Sequence, residues 1–275
     1  MKIHLFLLTA LLALLLGCDT DTNTNGPGPG EDSTTISHGV KGKVTFTGEW
    51  PANAVEVKPV TSTVFPPEMD DIIFGDSIPV DASTFDYEFE LDPGTYKIFG
   101  IAWRNEGAEW NYPSFCGTYY SKEDDDSLAP SYITVADDSD VVNRVDIGVN
   151  RSKAHPVSKA KITGSVTFIG TWPSEFTEAR VIATTKLDIS SLETPSFNDL
   201  AFSNSIAKGS TAYNYEIPAF PGYFLATFVI FFKENEKLSI SDVTYSSDHG
   251  GLDLAKTYTV ELDQTVIGPD FTVTF

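Results

Sequence analysis

The chain has 275 residues, a formal net charge of −21 at pH 7 and 41% hydrophobic residues. Such an acidic surface repels nucleic acid and anionic lipid headgroups, which excludes a nucleic-acid-binding role. The hydrophobic content, together with 12% aromatic residues, excludes a wholly disordered chain.

The first 17 residues have the pattern of an export signal. Lys2 supplies a positive charge, and residues 3–16 form an apolar run shorter than the roughly 20 residues that span a bilayer. Residues 15–18, Leu-Leu-Gly-Cys, resemble the lipobox of bacterial lipoproteins. That resemblance implies a signal peptide at 1–17, cleavage before Cys18, and acyl chains on this cysteine that anchor the protein to a membrane.

A polar segment follows the cysteine. The stretch 18–38 is expected to comprise the lipidated Cys18 and a disordered linker rich in Asp, Thr, Asn, Gly and Pro. Asp19 resembles an inner-membrane retention signal of some enteric bacteria and also the acidic surface-export signals of other phyla, so both readings stay open. The expected location is the bacterial cell envelope, with the outer membrane or cell surface preferred to the inner membrane.

Two stretches of the chain repeat each other. Residues 42–51, Gly-Lys-Val-Thr-Phe-Thr-Gly-Glu-Trp-Pro, recur at 164–173 as Gly-Ser-Val-Thr-Phe-Ile-Gly-Thr-Trp-Pro, and later motifs recur in the same order. The offset between the copies grows from 122 to 128, which predicts six extra residues between Pro173 and Pro195. We expect two similar domains at 39–150 and 160–275, joined by a linker at 151–159.

Alternation with a period of two dominates both copies. In the first copy, Val44 and Phe46 share one face of a strand, opposite Thr45. Residues 223–232 are apolar on both faces, as in a buried central strand. The helix candidates, at 67–74 and 195–202, are only one or two turns long. Many short strands in about 110 residues per copy predict an all-β fold of two tandem antiparallel β-sandwiches.

Two stretches resemble carboxypeptidase regulatory-like domains. They are the strand at 162–168 of the second copy and the Leu-Asp-Pro-Gly-Thr-Tyr stretch at 91–96 of the first copy. Two such domains would cover nearly all of the mature chain. The resemblance implies transthyretin-like sandwiches with Ig-type topology and a non-catalytic accessory role. The second copy departs from the motif, because Tyr223 and Phe224 follow its glycine.

No catalytic residue is predicted. His38, His155 and His249 lack neighbours at metal-ligand spacing, and no nucleophile elbow, phosphate loop or dinucleotide fingerprint occurs. We expect His38 and His155 to be solvated at domain edges and His249 to lie in a loop. Cys116, within an aromatic stretch, is expected to be a buried, inert thiol. No cofactor is predicted, with calcium as an alternative.

The calcium alternative rests on two acidic runs, at 123–126 and 137–140. Clustered carboxylates in loops supply the hard oxygen ligands that calcium prefers. The preferred interpretation is that both runs are solvated loops that keep strand edges from aggregating. The candidate metal ligands are Asp124, Asp125, Asp126, Asp138 and Asp140.

Aromatic residues supply the candidate ligand site. Trp50 and Trp172 occupy equivalent positions in the two copies, which favours a packing role, and Trp103 lies inside a predicted strand. Other aromatic residues of the first copy lack full counterparts in the second. The predicted ligand-binding residues among them are Trp110, Tyr112, Tyr119 and Tyr120.

The leading hypothesis is a non-catalytic, membrane-anchored envelope lipoprotein that acts as a binding or spacer module. Its partner would be an envelope protein or a glycan. One alternative is a glycan-binding lipoprotein of a nutrient-uptake system. A second alternative is a hydrolase with a site at the domain junction, built from His249 and converging carboxylates.

Overall fold

The alternating pattern of the first copy forms strands, as the sequence predicts. In the computed structural model, which describes residues 36–121, 129–186, 197–234, 236–238 and 240–275, Val44 and Phe46 are buried while Thr45 is exposed. The described strands of this copy, called copy 1, are β1 (Gly39–Thr47), β2 (Ala54–Ser62), β3 (Ile73–Phe74), β4 (Thr84–Glu90), β5 (Gly94–Tyr96), β6 (Ile98–Asn105), β7 (Phe115–Thr118), β8 (Ile133–Val135), β9 (Val141–Val142) and β10 (Ile147–Asn150).

Copy 1 is a sandwich of two sheets. Its outer sheet has the order β10-β1-β4, with β9 also beside β1, and its inner sheet has the order β3-β2-β6-β7. Strands β5 and β8 pair in a small ribbon. Strand β1 is antiparallel to β4 but parallel to β9 and β10, so the sandwich is antiparallel except where its first strand meets its last two.

Copy 2 repeats this arrangement. Its outer sheet has the order β15-β11-β20, with β21 also beside β11, and its inner sheet has the order β13-β12-β17-β18, with β14 beside β12. The described strands are β11 (Lys161–Ile169), β12 (Phe176–Thr184), β13 (Leu200–Phe202), β14 (Ile206–Ala207), β15 (Ala212–Pro218), β16 (Gly222–Phe224), β17 (Ala226–Lys233), β18 (Leu252–Asp253), β19 (Tyr258–Val260), β20 (Thr265–Ile267) and β21 (Phe271–Thr274). The prediction of an all-β fold with two similar sandwiches is confirmed.

The segments predicted as short helices each form one 3₁₀ turn, at Met69–Asp71 and at Phe197–Asp199. Residues 63–68 join β2 to the first turn, whereas residues 185–196 join β12 to the second, so this connection holds the six extra residues. The apolar run at 223–232 is not one strand. It divides at Leu225 into β16, in a ribbon with β19, and β17, in the inner sheet.

A nine-residue helix, α1 (Ile240–Asp248), was not predicted. Its sequence is rich in β-branched residues and serine, which have low helix propensity, so tertiary contacts must stabilise it. The Tyr245 ring lies 4.9 Å from that of Phe176 and 5.8 Å from that of Phe231. The Ser246 hydroxyl donates a hydrogen bond to the Val229 carbonyl. The helix is therefore held against β17. In the described part of the chain, no helix combines the length and apolar character needed to span a membrane.

Each copy has its own core between its outer and inner sheets, and a third apolar cluster lies between the two inner sheets. The sheets therefore stack in four layers, in the order outer, inner, inner, outer. We call the middle cluster the shared core. Its fully buried members include Val60 and Ile98 from copy 1 and Ile182, Phe202 and Ile230 from copy 2.

A tyrosine clamps the outer sheet of each copy at the break between its last two strands, β9 and β10 in copy 1 and β20 and β21 in copy 2. The Tyr87 hydroxyl donates to the Val145 carbonyl at 2.5 Å, and the Tyr215 hydroxyl donates to the Pro269 carbonyl at 2.6 Å. Gly42 faces the first clamp, where an added Cβ would lie 2.1 Å from the Val145 oxygen. The first glycine of the repeated motif is therefore required by close backbone approach.

Trp50, Trp172 and Cys116 have the packing roles that the sequence predicts. The indole N–H of Trp50 donates to the Val80 carbonyl and that of Trp172 donates to the Ser210 carbonyl, each at 3.0 Å. Cys116 is buried in copy 1, and desolvation raises the pKa of its thiol far above the ordinary value.

Candidate functional site

Aromatic rings from both copies interlock in the shared core. The Phe197 ring lies 5.2 Å from that of Phe115 and 6.0 Å from that of Phe65, measured between centroids. The Phe202 ring lies 5.8 Å from that of Tyr112. Because aromatic pairs at these distances add to the stabilisation from burial, packing holds the two copies in one orientation.

A buried arginine crosses the same boundary. The Arg180 side chain, on β12, is 3% exposed, and its Nε lies 3.3 Å from Glu178 Oε1. Its guanidinium also lies 3.9 Å from Glu68 Oε1 of copy 1, which accepts a 3.3 Å hydrogen bond from the Ser205 backbone N–H. A buried charge is costly without partners. If one inner sheet slid over the other, the contacts that Glu68 makes with Arg180 and Ser205 would break. These contacts therefore fix the register between the copies.

Two asparagines of copy 1 hold the linker. Asn105 Oδ1 accepts a 2.9 Å hydrogen bond from the Val157 backbone N–H. Asn111 Nδ2 donates a 3.0 Å hydrogen bond to the Ser158 carbonyl. The linker is therefore bound along the end of copy 1.

Copy 2 holds the linker from the other side. Asp263 Oδ1 accepts a 2.8 Å hydrogen bond from the Lys159 backbone N–H. The His155 ring stacks 3.6 Å from that of Phe220, and its Nε2 lies 2.9 Å from the Asn198 carbonyl oxygen. Burial lowers the pKa of His155 below its ordinary value. The expectation that His155 would be solvated is therefore wrong, because the linker packs against copy 2.

An open cleft of about 620 Å³ lies where this linker passes between the copies. Its volume falls within the roughly 300–1,000 Å³ range of small-molecule sites. Copy 1 supplies the loop after β6, the linker supplies its own backbone, and copy 2 supplies the end of β15 and the turn before β20. Side chains that border the cleft include Glu106, Trp110, Lys159, Glu216, Leu262 and Asp263.

The lining of the cleft is acidic. Four carboxylates border it, those of Glu106, Glu109, Glu216 and Asp263, against the two amines of Lys159 and Lys161. Lys161 Nζ lies 2.8 Å from Glu216 Oε2, so that pair is neutralised. The remaining charge disfavours an anionic ligand.

Trp110 forms part of the copy 1 wall and is partly buried. Its ring lies 5.0 Å from that of Phe74, and the Arg104 guanidinium carbon lies 5.6 Å from the ring centroid. Glu56 holds Arg104 through a 2.7 Å hydrogen bond from Nε. Hydrogen bonds from Lys58, and next from Arg104, keep the pKa of Glu56 below its ordinary value. The indole is therefore held by a fixed cluster.

The other predicted ligand-binding aromatics lie elsewhere. Tyr112 is buried in the shared core, with its hydroxyl donating to the Pro67 carbonyl, so its burial gives it a packing role. Tyr119 packs against the core of copy 1. Tyr120 is 38% exposed, but its hydroxyl accepts a hydrogen bond from the Phe197 N–H, and desolvation raises its pKa to about 12. Of the four predicted residues, Trp110 borders the cleft, and ligand binding by any of them stays a prediction.

The predicted lipid and metal residues are described only in part. Cys18, Asp124, Asp125 and Asp126 lie outside the described residues. Asp140 Oδ2 accepts a 2.7 Å hydrogen bond from the Ala136 N–H, which ties it into the turn that also contains Asp138. Within the described ranges, no group of three or more His, Cys, Asp and Glu side chains is placed to hold a metal ion. The calcium site therefore stays a prediction.

His249 follows α1 instead of lying in an open loop. Its ring stacks 4.0 Å from that of Tyr245, and its Nδ1 lies 2.8 Å from the Tyr245 carbonyl oxygen. It does not border the junction cleft. The structure therefore does not bring His249 together with the carboxylates there, as the hydrolase alternative requires.

No family model and no curated protein matches the chain. Among solved structures, a leucine-rich repeat protein from Bacteroides thetaiotaomicron is 12% identical over 87% of this chain and 26% of its own, with a TM-score of 0.35. A candidate adhesin from that species is 10% identical over 76% and 80% of the two chains, with a TM-score of 0.22. The shaft pilin of Lactobacillus rhamnosus GG is 9% identical over 86% and 98%, with a TM-score of 0.18. Likeness this weak carries no argument about function.

Proposed function

We propose that this protein is a non-catalytic module of the bacterial cell envelope, anchored through lipid on Cys18. Its two sandwiches would act as one rigid body that presents a binding cleft. The observation that carries this proposal is the shared core, in which Phe202 and Ile182 of copy 2 are fully buried at the boundary with copy 1. Tandem domains move relative to each other unless their interface is large and apolar, and this interface is apolar.

The anchor and the rigid body would work together. A linker of residues 18–38 could extend to at most about 70 Å, which sets the reach of the docked pair from the membrane. The acidic surface favours an uncharged glycan or an envelope protein as partner over nucleic acid. The resemblance to carboxypeptidase regulatory-like domains is consistent with an accessory role without catalysis.

A second candidate is a glycan-binding lipoprotein that serves a nutrient-uptake system. The position of Trp110 at the cleft favours it, because aromatic side chains offer a flat apolar surface to the C–H faces of a sugar ring. Both candidates share the anchor and the rigid pair of sandwiches, and they differ in whether the cleft takes sugar.

The anchor is tested by expressing the full chain in a bacterial host fed an alkyne analogue of palmitate. We expect label on the wild-type protein and its recovery with membranes. Cys18→Ser should lose both, while Cys116→Ala, which removes the buried thiol, should keep both. An unlabelled wild-type protein in the soluble fraction would overturn the envelope assignment.

A further inference from the structure

We infer that the junction cleft is a composite site for a neutral saccharide, complete only while the two copies are docked. This inference rests on the proposed function as a binding module and names its ligand class. Trp110 and Glu106 come from copy 1, Lys159 from the linker, and Leu262 and Asp263 from copy 2. Neither copy alone contains both walls.

The contacts that build the cleft are the contacts that dock the copies. Asn111 of copy 1 and Asp263 of copy 2 bind adjacent residues of the linker, Ser158 and Lys159, by side-chain hydrogen bonds. The shared core fixes the angle between the inner sheets behind them. Separation of the copies would therefore pull the two walls apart.

The polar groups of the cleft call for a ligand rich in hydrogen-bond donors. An ionised carboxylate only accepts hydrogen bonds, and its two oxygens offer about four acceptor positions. Asp263 Oδ1 accepts from Lys159, and Glu106 Oε2 accepts from Asn53 Nδ2 at 3.1 Å, so each carboxylate keeps further acceptor capacity. The hydroxyl groups of a sugar would supply donors to these oxygens.

The apolar groups of the cleft narrow the choice among ligands that are rich in hydrogen-bond donors. Leu262 is 59% exposed, and with Trp110 it offers apolar surface to the C–H faces of a pyranose ring. A polyamine is also donor-rich, and the excess of carboxylates would attract it, but it lacks the flat C–H face of a sugar ring that Trp110 and Leu262 could contact. An anionic glycan would be repelled by the excess of carboxylates. A neutral saccharide matches both the acceptor oxygens and the apolar surface of the cleft.

The test is calorimetric titration of residues 19–275 with neutral hexasaccharides (manno-, xylo- and cello-oligosaccharides), with spermidine and with polygalacturonate. We expect binding of a neutral oligosaccharide but not of the other two probes. Trp110→Ala should weaken it at least about tenfold. Asp263→Asn should also weaken it, although the remaining Oδ1 can still accept from Lys159. The matched control is Tyr223→Ala, which removes an aromatic ring that is 53% exposed and outside the cleft.

The outcomes separate this inference from the proposed function. Binding of spermidine or polygalacturonate that Trp110→Ala abolishes would overturn the saccharide assignment and leave the binding module standing. Absence of any binding sensitive to Trp110→Ala would overturn the composite site, while the anchored rigid pair could still act as a spacer. Oligosaccharide binding that is insensitive to Trp110→Ala would place the sugar elsewhere. If the two copies moved independently of each other in solution, the proposed function itself would be overturned.

Discussion

Phe202→Ala removes a ring from the centre of the shared core. Phe202 is fully buried on β13 of copy 2, and its ring lies 5.8 Å from that of Tyr112 and 6.3 Å from that of Phe65, both in copy 1. A buried Phe→Ala change costs about 3–5 kcal/mol. With a urea m-value of about 3 kcal/mol/M, appropriate for a long chain, the unfolding midpoint should fall by about 1–1.7 M.

The assay uses tryptophan fluorescence in a Trp172→Phe background. The remaining tryptophans, Trp50, Trp103 and Trp110, all lie in copy 1, while the mutation lies in copy 2. If the copies unfold together, the copy 1 signal should show the full decrease in midpoint. Tyr223→Ala, at a position that is 53% exposed, is the matched control and should lower the midpoint much less than Phe202→Ala does. A copy 1 midpoint unaffected by Phe202→Ala would refute the reasoning, because the copies would then unfold independently.

Three further predictions concern single groups. Tyr215→Phe leaves the Pro269 carbonyl without its hydroxyl partner, so urea unfolding should show a loss of about 1–3 kcal/mol. Burial lowers the pKa of His155 in the folded state, so below pH of about 6.5 the unfolded chain binds a proton that the folded chain does not. Stability should therefore fall as pH decreases from there to the folded-state pKa, and His155→Asn should remove that part of the pH dependence; an unchanged dependence would contradict the assignment. The Cys116 thiol, buried and with a raised pKa, should react with a disulfide reagent only after urea unfolding, and rapid reaction in native buffer would disprove its burial.

Strands and the repeat could be read from the sequence because both depend on local patterns. The alternation around Val44 and Phe46 places side chains on opposite faces of a strand whatever surrounds it. The Trp-Pro motif and the glycine that faces the tyrosine clamp occur in both copies, and both copies have the same fold. The helix α1 could not be predicted, since its stability comes from packing of Tyr245 and Ser246 and not from its own propensity.

The packing of the two copies against each other is reflected in strands that are apolar on both faces. The alternating pattern alone does not explain these strands. Residues 98–102 and 226–232 are buried on both faces of their strands, which requires an apolar layer on each side. The sequence does not say which partner supplies the second layer, because that depends on how the copies dock. No sequence pattern indicates the cleft, because Glu106 and Asp263 are ordinary acidic residues in a chain that has 39 of them.

The central claim, that two sandwiches form one rigid four-layered body, is tested most directly by a distance between the outer sheets. Spin labels on Lys43→Cys and Thr167→Cys would sit on the exposed faces of β1 and β11, and the buried Cys116 would stay unlabelled in residues 19–275. Sheets pack about 10 Å apart, so three spacings separate the outer sheets by about 30 Å, to which lateral offset and label length add. Pulsed electron paramagnetic resonance should give one narrow distribution at or beyond this distance. A broad distribution over tens of ångströms would contradict the account.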